Sequence, residues 1–413
     1  MKARKPFSVL IAWLAALALA ACAGPAVPQR AGAPTDSVPA SEPSQAAASA
    51  LRVGAERLDL YLPLLQGRRV GLLVNQSARV GQAHLVDTLL ALGVNLVRVF
   101  APEHGFRGDK DPGALFDNET DPRTGLPIVA LYGDNKKPRP DQLADLDLLV
   151  FDIQDVGVRF FTFISSMHLA MQACAQSGKP FVVLDRPNPL GDYVDGPLRQ
   201  PGFESFVGMH PIPVVHGLTV GELARMIVGE GWLGQGLDCA LEVVPCQGYT
   251  HATRYPLPVK PSPNLPNDLA VRLYPSLCFF EATQVSVGRG TEFPFQAIGY
   301  PKEGLGPFSF IPRDMPGMQM DPIQEGQTCH GLDLRQQGLD HRFSLAYFIE
   351  FHRALGPGMV SRREWFNLLA GTDKLLPLVE AGKSEEEIRA SWQDELREYK
   401  QTRKKYLLYP DFE

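Results

Sequence analysis

The feature that most limits the fold lies between residues 68 and 190, where apolar runs of strand length alternate with segments of helical period. The runs are "VGLLV" (70–74), "NLVRVF" (95–100), "PIVALY" (127–132), "DLLVF" (147–151) and "PFVVL" (180–184). Between them, "HLVDTLLALG" and "FFTFISSMHLAMQACAQSG" repeat apolar residues at helical spacing, and each ends in a glycine that can take a left-handed cap. A chain that alternates in this way builds βαβ units, whose strands run parallel in one sheet. The expected class is therefore α/β.

Polar residues cluster directly after these runs. Asn75 and Gln76 follow the first, Glu103 and His104 the second, Asp152, Gln154 and Asp155 the fourth, and Asp185, Arg186 and Asn188 the fifth. Parallel strands bring such positions to one rim, where open α/β sheets bind ligands. Asn75, Glu103, Asp155 and Arg186 are thus expected to line one pocket. The rim carries carboxylates beside Arg107, Arg159 and Arg186, with Phe106, Phe160 and Phe161 close in sequence. Carboxylates in a partly desolvated cleft are the equipment of glycosidic cleavage, and arginines suit an anionic substrate group. Glu103 points most firmly to function, because it follows a proline in a short loop bounded by Gly105 and has no obvious i+4 partner. Asp155 with Arg159 also fits a helix-start ion pair, and Asp185 with Arg186 before "PNP" also fits a turn.

Several classes drop out. No G-x-G-x-x-G follows the first run, so the sheet is not expected to carry NAD or FAD, and no cofactor is expected. A G-x-S-x-G elbow and H-E-x-x-H spacing are also missing. A metal centre from Asp152, Asp155 and His104 stays open as an alternative. The formal charge of -6 argues against a nucleic-acid surface.

The first 22 residues, "MKARKPFSVLIAWLAALALAAC", combine a basic start, an apolar run and a small-residue cleavage site, which is an export signal. "LAAC" looks like a bacterial lipobox, so Cys22 is expected to carry lipid and to anchor the chain in the cell envelope, on the periplasmic side. Residues 23–50 are rich in Ala, Pro, Ser and Gly and read as a tether. The remaining roughly 360 residues are long enough for two domains, placed here at 51–272 and 273–413. The second is expected to hold mixed strands closed by helices from Ser344, Ser361 and Ser384, the last two opened by the capping boxes "SRRE" and "SEEE". Thr219 and Glu222 suggest another box. The other cysteines, at 174, 239, 246, 278 and 329, lack zinc-type pairing; at most two disulfides are allowed, with Cys239 and Cys246 close in sequence, and apolar surroundings suit buried free thiols.

Longer strings add what spacing cannot. "RVGLLVNQSA", "FAPEHGFRG", "LVFDIQDVGVRFFTFISSM", "VVLDRPNPLGD", "SFVGMHPIPVVHGLTVGELA", "PSPNLPND", "LYPSLCFFEATQVSVGRGTEFPFQAIG" and the tail "EEEIRASWQDELREYKQTRKKYLLYPD" resemble the NamZ family of exo-β-N-acetylmuramidases, from about residue 52 to the C-terminus. The resemblance implies a peptidoglycan glycosidase that removes single N-acetylmuramic acid (MurNAc) residues from non-reducing ends. It also implies a Rossmann-like catalytic domain followed by a smaller α+β domain, with the cleft between them. The glutamate of the family's "PEHG" motif, regarded as catalytic, falls on Glu103. The second catalytic group is left among Asp152, Asp155, Glu281 and the substrate's own acetamido oxygen. Substrate contacts are expected from Asn75, His104, Arg107, Gln154 and Asn188, and from His216, Asn264, Glu281 and Arg289. Arg159, Arg186 or Arg289 is expected to meet the lactyl carboxylate of MurNAc. "KPSPNLPND" lacks the tryptophan of the family's more usual form. Two alternatives stand beside this reading: a lipoprotein that binds muropeptides without cleaving them, and a metal-dependent hydrolase of another anionic substrate.

Overall fold

All five expected runs form strands, and two further segments join them. The strands are β1 (Val70–Val74), β2 (Leu96–Ala101), β3 (Glu119–Thr120), β4 (Pro127–Ala130), β5 (Leu148–Asp152), β6 (Phe181–Leu184) and β7 (Leu241–Val244). The computed structural model describes residues 50–103, 105–107 and 119–413. The segment expected to be an export signal, Cys22, nearly all of the expected tether and His104 lie outside the described residues. The sheet order is β7-β6-β5-β1-β2-β4-β3, and only β3 pairs antiparallel.

Strand alternation sends neighbouring side chains into two separate layers. Leu73, Phe100, Leu149 and Phe151 join the core under the helices Phe163–Gln176 and Val220–Gly229. Leu72, Val74, Val99 and Val150 join the layer under Leu58–Leu65 and Leu85–Ala91. Both sides of β1 and β5 are thus covered, which is why these runs are apolar throughout rather than alternating.

The helix expected from Phe160 begins instead at Phe163. Phe160 and Phe161 face Tyr274 edge-on, with ring centroids 5.2 and 6.3 Å away, and this packing holds them out of the helix. Gly93 (φ 75°) and Gly178 (φ 63°) take the left-handed conformation expected of them. The Thr219–Glu222 box is made, with Thr219 accepting from the Glu222 amide and Glu222 from the Thr219 amide.

Beyond residue 272 the strands are antiparallel: β8 (Ala297–Tyr300), β9 (Phe308–Phe310) and β10 (Cys329–Asp333) pair in the order β8-β10-β9. Helices follow at Ala346–Leu355, Arg363–Ala370, Leu375–Glu380, Glu385–Ala390 and Gln393–Lys404. Ser384 caps its helix as expected. The "SRRE" box does not form. Arg362 precedes that helix with its amide on the Ala282 carbonyl and its guanidinium on the Glu281 carbonyl, so a tertiary tie sets the start in place of Ser361. One apolar core runs from Phe151 and Phe181 through Phe279, Phe280 and Phe348 to Trp392, and the described residues from Ala50 onward cluster as one compact unit.

The tail closes back on the parallel sheet. The Tyr409 hydroxyl donates to Asp185 at 2.5 Å and accepts from the Cys246 amide at 2.8 Å, while the Leu408 amide donates to Glu222 at 2.8 Å. Asp185 also accepts from the Thr219 hydroxyl and the Gly221 amide. It is a buried clasp for the chain end. All five described cysteines are free and buried, and burial raises the pKa of each thiol.

Burial also decides how stability responds to acid. His84 and His168 are buried, and desolvation lowers each to about 4. The folded chain therefore binds fewer protons than the unfolded chain between about pH 4 and the ordinary histidine value of about 6.5. Their contribution is complete above that range and is lost as pH falls through it, by at most about 3 kcal/mol each. Asp185 acts in the opposite sense, because burial raises its carboxyl to about 6, so its contribution fades as pH rises toward that value. Burial also lowers His210 and raises Asp152, and on this balance the histidines outweigh the carboxyls. Thermal unfolding followed from pH 7.5 to 5 should show a falling Tm with net proton uptake on unfolding; a flat or rising Tm would contradict this account.

Candidate active site

β2 ends at Ala101, and Pro102 stops the ladder. Gly105, at φ 76°, returns its amide to the Pro102 carbonyl at 3.1 Å, which places Glu103 on a tight turn. The far side of this loop is fixed. Phe106 packs edge-on against His84 at 4.8 Å, and Arg107 grips Asp121 through two nitrogens at 3.1 and 2.7 Å, with Asp87 at 3.7 Å. Arg107 thus orders the loop through Asp121 and Asp87.

Tyr132 follows β4 as Glu103 follows β2, and the two strands are neighbours joined by the Leu131 amide on the Ala101 carbonyl at 2.8 Å. The Tyr132 side chain hydrogen-bonds Glu103. Burial, then the charge of Glu103, pushes the Tyr132 hydroxyl up to about 12, so at neutral pH it keeps its proton to donate.

These two residues open into a cavity of about 630 Å³. Its walls carry the aromatic rings of Phe160, Phe161, Phe206, Tyr274 and Trp365. Opposite charges meet at Glu281 and Arg289, which form an ion pair with the Arg289 Nε 3.1 Å from Glu281 Oε1. Asn264 donates from Nδ2 to the Met318 carbonyl at 2.8 Å, while its buried Oδ1 has no hydrogen-bond partner. The cavity therefore offers two carboxylates, an open amide acceptor and flat apolar walls, which is the outfit of a sugar site. A hollow of similar volume beside Phe343, Glu385 and Arg389 is shallower and lies away from Glu103.

Of the residues singled out from sequence, Glu103, Phe160, Phe161, Asn264, Glu281 and Arg289 share this cavity. The others described do not line it. Arg186 is spent on Asp152, through contacts of 2.5 and 2.8 Å in a pair at most 3% exposed. Asp155 takes the Gly157 amide at 2.7 Å and lies 3.4 Å from His216, both buried. Asn75 accepts from Ser77, the Gln154 side chain ties the Asp155 and Pro187 carbonyls, and Asn188 bridges Leu190 and Leu218. Arg159 is completely buried, donating to the carbonyls of Pro197, Ile212 and Leu369. The expected single pocket through Asn75, Glu103, Asp155 and Arg186 is therefore corrected: the loops after β1, β5 and β6 are stitched to one another and bury their polar groups. The open part of the rim lies at β2 and β4.

Sequence reasoning missed Tyr132, Lys136, Ser205, Phe206 and Trp365. Tyr132 was legible, since the third apolar run ends there and the rim rule applies to it as to the others. Ser205, Phe206 and Trp365 come from segments with no such marker. Among the described residues, the grouping of acidic side chains close enough to share a metal ion is the exposed trio Asp314, Asp321 and Glu325. Asp152 and Asp155 are engaged as described, and His104 lies outside the described residues.

Comparison with known proteins agrees with this geometry. The family profile described as "Exo-beta-N-acetylmuramidase NamZ, N-terminal" matches residues 70–269, and its C-terminal counterpart matches residues 272–409. The peptidoglycan β-N-acetylmuramidase NamZ of Bacillus subtilis (strain 168) is 36% identical over 372 residues, covering 84% of this chain and 89% of that protein. A crystal structure of a DUF1343 family protein from Bacteroides fragilis NCTC 9343 superposes with a TM-score of 0.81 at 43% identity, covering 88% of this chain and 100% of that one. Another from the same organism gives 0.76 at 30% identity, with 87% and 99% covered. A Glu103-centred cavity beside a parallel sheet, and family matches that run through both parts of the chain, together show that the protein belongs to the NamZ family of exo-β-N-acetylmuramidases.

Proposed function

We propose that the protein releases MurNAc from the non-reducing ends of peptidoglycan fragments, with Glu103 as the acid that protonates the departing oxygen. The observation that carries this reading is the cavity in which Glu103, hydrogen-bonded by Tyr132, faces a second carboxylate within aromatic walls. As the glycosidic bond breaks, the Glu103 proton passes to the leaving oxygen and positive charge grows at the anomeric carbon. Among the carboxylates considered from sequence for the second role, Glu281 is the one that lines the cavity with Glu103. Arg289 holds it in place. Glu281 acts at the anomeric centre, and the aromatic rings carry the sugar faces. The lipobox reading places this activity in the cell envelope: the export signal and Cys22 tether the chain where wall fragments arise, and no helix among the described residues is long and apolar enough to cross a membrane.

Incubating the purified protein with a chromogenic N-acetylmuramide should release the chromophore, and a chain that only binds muropeptides would leave it intact. Chelator should leave the rate unchanged, whereas a metal-dependent hydrolase would lose it. Tyr132→Phe removes the hydroxyl that orients the Glu103 carboxyl, so kcat is expected to fall about tenfold with KM little changed. A variant with wild-type kcat would show that Tyr132 does not position the acid.

A further inference from the structure

We propose that Lys136, together with the Ser205 hydroxyl, forms the site that recognises the lactyl carboxylate of MurNAc. This assignment rests on the muramidase reading. The sugar's one anionic group needs a cation, and the cations lining the cavity are Lys136 and Arg289. Arg289 is already committed. Its Nε and one terminal nitrogen bind Glu281, and the other terminal nitrogen donates to Gln319 at 3.3 Å. A second carboxylate brought to it would compete with Glu281.

Lys136 is placed differently. It has no carboxylate partner among the described residues, and its Nζ stands 5.0 Å from the centre of the Phe206 ring. The chain around it is fixed. Asn135 donates to the Ala130 carbonyl at 2.8 Å, and Lys137 binds Gln172 and Gln176 at 2.7 and 2.8 Å on the helix Phe163–Gln176. Phe206, which receives the ammonium on its face, is pinned by the Ser165 hydroxyl on its carbonyl at 2.7 Å. Beside it, the Ser205 Oγ is buried with no hydrogen-bond partner, and it lines the same cavity. An unpartnered ammonium and an unpartnered hydroxyl in one cavity lack an acceptor, and a carboxylate supplies oxygens for both. A ring beneath the ammonium steers it without neutralising it.

The test compares two nitrophenyl glycosides, that of MurNAc and that of its lactyl methylamide, which has nearly the same shape without the charge. The wild-type protein is expected to favour the acid in kcat/KM by about ten- to a hundredfold. In Lys136→Met that preference should disappear, because turnover of the acid falls while turnover of the amide is kept. Lys136→Arg should retain most of the preference, and Ser205→Ala should lower it severalfold. Retained amide turnover also shows that the variant is folded. Lys136→Met with the wild-type preference, or with equal losses on both substrates, would overturn the assignment. If the wild-type protein cleaves neither glycoside, the muramidase reading itself fails and takes this assignment with it.

Discussion

Glu103→Gln is expected to lower turnover of a MurNAc disaccharide by about two to four orders of magnitude while leaving its binding intact. The substitution keeps the shape of the side chain and its place beside Tyr132, and removes only the proton that must reach the departing oxygen. A nitrophenyl leaving group needs little protonation, so the same variant should lose far less on a nitrophenyl muramide. Glu281→Gln should separate the roles. A carboxylate that acts at the anomeric carbon is needed whatever the leaving group, and its loss should slow both substrates alike. Near wild-type turnover of both substrates by Glu103→Gln would remove Glu103 from the chemistry and leave Glu281 as the carboxylate to test.

The second large effect is on stability. Arg186→Met leaves the Asp152 carboxylate fully buried with its bidentate partner gone. Removing one member of such a pair costs about 3–5 kcal/mol, a large share of the stability of an ordinary domain. Denaturant unfolding should therefore show a strongly lowered midpoint with an unchanged slope, while KM for substrate in the folded fraction stays put. Replacing both partners, as in Asp152→Leu with Arg186→Met, should recover much of the loss, because the charge that lacked a partner has gone too. If Arg186→Met instead kept its stability and lost substrate affinity, Arg186 would belong to the site.

The same residue shows what could be read from sequence and what could not. Strand positions were legible because apolar runs bounded by turn residues leave few alternatives, and the parallel pairing followed from the helices between them. The rim was legible too, and Glu103 lies on it. Which strand ends stay open was not legible, since that depends on whether a loop folds over its own polar groups. After β5 and β6 it does: Gln154 reaches Pro187, and Asp155 reaches Gly157. Arg159 illustrates the limit further. A basic residue beside two phenylalanines suits a substrate clamp, yet here it secures three carbonyls from distant segments, a role set by contacts up to 210 positions away. Glu281, Arg289 and Asn264 were found through the family resemblance, because nothing in their spacing places them beside Glu103. Trp365 supplies an aromatic wall from the helix Arg363–Ala370, although the stretch around Asn264 lacks the tryptophan of the family's usual form.

The most direct test of the central claim is product analysis with a natural disaccharide. MurNAc linked β-1,4 to N-acetylglucosamine, incubated with the purified protein and followed by mass spectrometry, should yield free MurNAc and free N-acetylglucosamine in equal amounts, and Glu103→Gln should bind the disaccharide without releasing either. An intact disaccharide after incubation with the wild-type protein, bound with the same affinity as by Glu103→Gln, would contradict the account and leave a binding protein in place of a glycosidase.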